Sequence, residues 1–207
     1  MNKLTKSLVA AGLLAGMSAP VLADGLSGNV ALVSDYVWRG VEQSPGAAPT
    51  MQGGMDYETG AFSFGTWGSS LAEGGTEIDL YGAYSFGPVS VGAIYYYFPT
   101  GSLGNSGSTE VNVSGDAGPV SLMASYATDV SGNPYYLEAS YSHGFGKVSL
   151  DLHAGYGETY TTSSGGAAFD YSIGVSGSAG GLDLAAVYAY SESTKEGKPY
   201  VSIGKSI

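Results

Sequence analysis

The chain has no cysteine, which excludes disulfides, thiolate metal centres and thiol nucleophiles. Charge is scarce as well, at 12% of residues, about half the share of an ordinary soluble domain. Basic residues are the scarcer sign, with 7 Lys and Arg against 18 Asp and Glu and a net charge of -11. Such a chain is a poor partner for nucleic acid or for anionic lipid surfaces, both of which reward Lys and Arg. Long hydrophobic runs are missing too. Beyond the N-terminus, Gly, Ser or a charged residue interrupts every apolar stretch within a few positions, so no helix of about 20 apolar residues is available to cross a bilayer.

What the chain has instead is glycine (34), tyrosine (17) and a hydrophobic share of 43%, too much apolar surface for a disordered polymer. At the N-terminus, Lys3 and Lys6 precede the apolar run Leu8 to Met17 and the small-residue site Val21-Leu22-Ala23. This order predicts a secretory signal peptide over residues 1–23, cleaved after Ala23, and leaves residues 24–207 as one domain. Loss of Lys3 and Lys6 takes the net charge from -11 to -13.

The mature sequence alternates with a period of two, which is the signature of strands with one wet and one greasy face. From Leu26 to Gln43, Asn29, Asp35, Arg39 and Gln43 share one face, and Leu26, Val30, Leu32, Tyr36 and Trp38 share the other. On Val148 to Tyr156 the leucines, Ala154 and Tyr156 oppose Ser149, Asp151, His153 and Gly155. About twelve such segments occur, and the breaks between them alternate long and short. The long ones are rich in Gly, Ser, Thr and Asn, including Pro99 to Ser108, Gly157 to Ala167 and Ser191 to Pro199, and the short ones sit at Gly87-Pro88, Gly118-Pro119 and Gly180-Gly181. An even strand number, alternating loop lengths and aromatic strand ends predict an all-β fold. The expected architecture is a transmembrane antiparallel up-and-down β-barrel of about twelve strands, with lipid outside and water inside. Only a closed barrel satisfies its backbone in hydrocarbon without helices.

Parity then assigns the faces. The water side is expected to carry Asp35, Arg39, Gln52, Asp56, Glu77, Asp79, Glu110, Glu138, Asp151, His153, Asp170 and Asp183, with Arg39 as the only fixed positive charge. The lipid interface is expected to take Tyr36, Trp38, Tyr57, Tyr84, Tyr126, Tyr141, Tyr156, Tyr171 and Tyr188, where a ring can sit in lipid and a hydroxyl among headgroups. Carboxylates on a wet wall favour cations, so the residues point to a cation-preferring pore for small hydrophilic solutes. Asp35 and Arg39, four residues apart on one face, are expected to pair or to line a constriction. Two other roles stay open: a plugged barrel acting as a scaffold or adhesin, and an acyl hydrolase. The hydrolase is disfavoured because Ser149, Asp151 and His153 are alternate residues of one strand, spaced by nearly 7 Å per two residues, too far for direct hydrogen bonds. No cofactor or metal cluster is expected.

Several motifs occur in order: Ser34-Asp35-Tyr36-Val37-Trp38-Arg39-Gly40 with Gln43-Ser44, Gln52-Gly53-Gly54-Met55-Asp56-Tyr57, Trp67-Gly68-Ser69, Glu77-Ile78-Asp79-Leu80-Tyr81-Gly82 and Tyr95-Tyr96-Tyr97-Phe98-Pro99. Together they resemble the TorF family of outer-membrane porins, with Glu42 standing where that family often has serine. The resemblance implies a barrel in the bacterial outer membrane that passes small solutes and has no defined substrate. Its expected partners are membrane lipid, lipopolysaccharide and, during insertion, the barrel-assembly machinery.

Overall fold

The computed structural model describes residues 25–46, 49–158 and 166–207. The expected signal peptide and part of the Gly157 to Ala167 loop lie outside the described residues. Fourteen strands follow in order: β1 (Gly25–Val33), β2 (Val37–Trp38), β3 (Val41–Glu42), β4 (Thr50–Thr59), β5 (Phe62–Ser70), β6 (Thr76–Phe86), β7 (Val89–Thr100), β8 (Ser106–Ala117), β9 (Val120–Ala127), β10 (Tyr135–Phe145), β11 (Val148–Gly157), β12 (Ala168–Ala179), β13 (Leu182–Ser191) and β14 (Glu196–Ser206). Twelve of them close a barrel in which each strand pairs with its sequence neighbours, β1 pairing with both β14 and β4. Every pairing is antiparallel, and closure gives each wall strand a neighbour on both sides over its membrane-spanning part.

The rims differ. On one rim, two-residue turns join β4 to β5, β6 to β7, β8 to β9, β10 to β11 and β12 to β13. Each begins with a glycine at positive φ, and at Gly87-Pro88 and Gly118-Pro119 the second residue is proline. Positive φ first and a fixed negative φ second is what a type II′ hairpin turn requires. The other rim carries the longer connections. Two wall strands extend further than the sequence pattern indicates. β14 starts at Glu196 and β8 at Ser106, inside stretches that Gly, Lys, Pro and Asn mark as loops.

The outer face is apolar. Leu26, Val30, Leu32, Leu80, Leu122, Leu152, Ile173, Val201 and Ile203 are exposed on it. Aromatic rings gather toward both rims, with Tyr57–Phe64 and Phe62–Tyr84–Phe86 on the turn side and Tyr135–Tyr156–Phe169–Tyr171 on the loop side. An apolar band between two aromatic girdles belongs to a sheet that crosses a bilayer. Tyr126, Tyr141 and Tyr188 also point outward. His143, which falls at the edge of a turn in the sequence, lies on β10 between Tyr141 and Phe145 on this outer face.

Candidate functional site: an inward hairpin across the lumen

The first wall strand ends at Val33, ten residues before the sequence alternation does, and the chain bends inward at Ser34-Asp35. β2 and β3 then form a miniature hairpin inside the barrel, with Val37 opposite Glu42 and Trp38 opposite Val41. Its two-residue turn is Arg39-Gly40, both at positive φ (47° and 73°), as a type I′ turn demands. Gly40 is fixed by space as well as by φ. A Cβ there would stand 2.8 Å from Asp170 Cβ and 2.9 Å from the Tyr190 carbonyl oxygen, so the hairpin tip rests directly on β12 and β13.

This placement overturns the assignment of Tyr36 and Trp38 to the lipid interface. Both are buried inside the barrel, at 3% and 6% exposure, in a cluster with Trp67, Ile94 and Tyr96. Tyr36 meets Trp67 edge-on at 5.5 Å, and Trp38 meets Tyr96 edge-on at 6.0 Å. Alternation continues past Val33 in the sequence, but the strand has already left the wall, so parity no longer selects between lipid and lumen. Burial pushes the Tyr36 phenol well above its ordinary range, with Glu77 and Asp79 adding to the effect, so it stays a proton donor facing those carboxylates.

Arg39 does not pair with Asp35. It crosses the lumen to β8, where Nη1 and Nη2 donate to Glu110 Oε1 and Oε2 at 2.9 and 2.8 Å. The Tyr96 hydroxyl donates to the same Oε2 at 3.3 Å. The guanidinium lies between two rings, 4.2 Å from the Trp38 centroid and 4.0 Å from that of Tyr136. A bidentate carboxylate and two aromatic faces suit a planar guanidinium, where a lysine would lose both the fork and the stack. Tyr136 extends the network. Its hydroxyl donates to Asp170 Oδ2 at 2.8 Å and lies 3.0 Å from His153 Nε2, which is 3.1 Å from Asp170 Oδ1. His153 therefore joins Tyr136 and Asp170, and not Ser149 or Asp151.

The other interior carboxylates divide by depth. Asp151 accepts from Ser142 and Ser176, both at 2.6 Å. Asp183 accepts from Ser178 at 2.8 Å and from the Ser206 hydroxyl and amide at 3.0 Å, which ties three strands at the turn rim. Asp56 accepts from Tyr81 at 2.7 Å, and Gln52 reaches Ser69. Glu77, Asp79, Glu110, Asp151 and Asp170 are all buried. Asp79 Oδ1 and Glu138 Oε2 are buried oxygens that accept no hydrogen bond among the described residues. Arg39 is not the only fixed cation of the interior, because Lys198 at the loop rim of β14 pairs with Glu42 of the hairpin and lies near Asp35. Below the hairpin the wall is lined by small residues, and Ser121, Ser142, Gly144 and Ser178 are exposed toward the turn rim.

The sequence gives no direct sign of the hairpin, but it holds indirect ones. Trp67, Ile94, Tyr96 and Tyr136 stand on the polar parity of their strands, and large apolar side chains in a lumen need something apolar to cover them.

Fold and interior together define a transmembrane antiparallel barrel whose acidic lumen is crossed by its own first loop. Residues 16–205 match the model of a family described as "Bacterial protein of unknown function (Gcw_chp)", and the chain belongs to that family. A search of curated proteins found no match. Among solved structures, the chain is similar to "KdgM porin" at 9% identity and a TM-score of 0.58, covering 87% of this chain and 99% of that one. It is also similar to a chain from "Unveiling the Mechanism Behind the in-meso Crystallization of Membrane Proteins", at 8% identity and a TM-score of 0.57, covering 88% and 83% respectively. At such identities the likeness is one of fold.

Proposed function

We propose that the protein is an outer-membrane porin-like channel through which small hydrophilic solutes diffuse, with a preference for cations and no catalytic role. The observation that carries this reading is the charge of the interior. Asp56, Glu77, Asp79, Glu110, Glu138, Asp151, Asp170 and Asp183 line the inner side of the wall, against Arg39, Lys198 and His153. In a narrow aqueous path bounded by low dielectric, such an excess lowers the energy of a cation and raises that of an anion. The apolar outer face, the likeness to a porin and the TorF-like motifs agree with it. Membrane lipid, lipopolysaccharide and the assembly machinery are the partners such a barrel would meet.

The test is a reversal potential. The refolded mature chain in a planar bilayer, under a salt gradient, should give the sign of a cation-selective conductance. An anion-selective potential would reject the preference, and the absence of any conductance would reject the channel. One observation favours a second reading, a barrel that stays closed: the hairpin reaches across the loop-side half of the lumen to β8, β12 and β13. Hydrolysis has less support, because among the described residues the hydrogen-bond partners of His153 are Tyr136 and Asp170 and include no serine.

A further inference from the structure

The hairpin's own ladder is two residue pairs, supplemented by the Gln43 amide donating to the Tyr36 carbonyl at 2.7 Å. Its hold on the wall runs through side chains, Arg39 on Glu110, Trp38 against Tyr96, Tyr36 against Trp67 and Glu42 on Lys198, and through the close seating of Gly40 on Asp170, Tyr190 and Ser191 without a hydrogen bond of its own to them. It is tethered at one end by the Ser34-Asp35 bend, and beyond β3 by a stretch containing Pro45 and Gly46, the latter at φ +70° with open space around it. A small element joined to a rigid wall by bends and by side-chain contacts can move as a unit. Of those contacts, one is a recognition site in its own right. Glu110 takes both ends of a guanidinium fork, Tyr96 fixes the carboxylate, and Tyr136 offers its ring face at 4.0 Å.

We propose that Glu110, Tyr96 and Tyr136 form a guanidinium-recognising cradle on the barrel wall, and that Arg39, seated in it, latches the hairpin as a movable gate. The inference rests on the channel reading and adds its regulation. With the latch seated, the loop-side half of the lumen is closed. When Arg39 leaves, the path opens and the same cradle faces the lumen as a site for planar, guanidinium-bearing cations.

Two experiments bear on it. In the first, Arg39→Ala is recorded in planar bilayers beside the wild-type chain, with Arg39→Lys as the charge-conserving variant. Time-averaged conductance should rise by about tenfold or more in Arg39→Ala, because one partner of a buried pair has been removed, and by less in Arg39→Lys. Guanidinium chloride should then lower the Arg39→Ala current by refilling the cradle, whereas tetramethylammonium, which has no N–H to donate, should not. The double variant Arg39→Ala, Glu110→Gln should ignore guanidinium. Equal currents in wild type and Arg39→Ala, or a guanidinium effect that survives Glu110→Gln, would overturn the proposal. In the second, Glu42→Cys and Lys198→Cys are joined by a short bis-methanethiosulfonate, an unambiguous target in a chain without native cysteine. The linked barrel should be silent until dithiothreitol releases it, and full conductance while linked would show that ions do not need the gate to move. If no variant conducts, the channel reading fails. The cradle is then decided by tryptophan fluorescence of Arg39→Ala in detergent, where guanidinium must shift the emission and must not do so once Glu110 is glutamine.

Discussion

Tyr81 leans across Gly65 to reach Asp56 in the turn-side half of the lumen, and Tyr136 leans across Gly155 to reach Asp170 in the loop-side half. The device is the same in both places: a tyrosine, a glycine on the next strand that leaves room for its ring, and an aspartate one strand further on. A Cβ on Gly65 would stand 2.7 Å from the Tyr81 ring, and one on Gly155 would stand 1.8 Å from the Tyr136 hydroxyl. The surroundings differ. The turn-side contact ends at the half-buried Asp56, with the Tyr81 ring packed against the edge of the Trp67 cluster. The loop-side contact continues to His153, and its ring supports Arg39, which ties in Glu110, Tyr96 and Trp38. One half of the interior is a wall; the other is a wall with an occupant.

The largest effect should come from separating that occupant from its carboxylate. Glu110→Ala leaves a buried guanidinium without its partner, a loss of about 3–5 kcal/mol where nothing compensates. Urea unfolding in lipid vesicles, read by circular dichroism, measures the barrel. Both tryptophans, Trp38 and Trp67, lie in the loop-side cluster, so their fluorescence reports on the hairpin. A fluorescence shift with unchanged circular dichroism would mean the halves separate; a joint loss would mean they are one unit. Next, Leu152→Arg probes the frame both halves share. Leu152 is mid-strand on the outer face of β11, where an arginine near the bilayer midplane costs about 2–4 kcal/mol, and an unaffected unfolding midpoint would contradict lipid contact there.

Smaller effects sharpen the contrast. Gly155→Ala and Gly65→Ala each displace a tyrosine from its carboxylate, buried Asp170 or half-buried Asp56, at about 1–3 kcal/mol. Both should move the tryptophan emission, because Tyr81 packs against the cluster that holds Trp38 and Trp67 and the Tyr136 ring faces Arg39, and only Gly155→Ala should also raise the conductance. The least costly change is Ser142→Ala, which removes one of the two hydroxyls on Asp151 for about 1 kcal/mol. It should leave fluorescence and single-channel current alike unchanged.

The frame of this molecule was legible in the amino-acid order, and its occupant was not. Alternation of Leu150, Leu152 and Ala154 with Ser149, Asp151 and His153 follows from the pleat, because lipid and water lie on opposite faces of one sheet. Turns such as Gly87-Pro88 announce themselves through φ. The hairpin escapes both rules. Leu32, Tyr36 and Trp38 stay in step with the outward face although the last two have turned inside, since a two-residue repeat carries no record of where a strand leaves its sheet. Gly40 was a local hint at most, since a glycine there reads equally well as part of a strand. The distant sign was Tyr96 and Ile94 on the polar parity of β7, the strand whose pattern is least clean. Lys198 was hidden for a different reason, because Gly197, Lys198 and Pro199 together resemble a loop while belonging to β14.

The early departure of β1 from the wall leaves a mark on its neighbour. Val201 uses both its amide and its carbonyl toward Ser34, and beyond that point β14 has no neighbour on that flank among the described residues. In an extended chain the residue two positions earlier turns its backbone the same way, and here that residue is Pro199, which has no N–H to offer. An intruding segment seeking to zip onto Glu196 to Tyr200 would find a donor missing at the first place it looked. The bare flank created by sending the β2–β3 hairpin inward is thereby made unattractive to other chains.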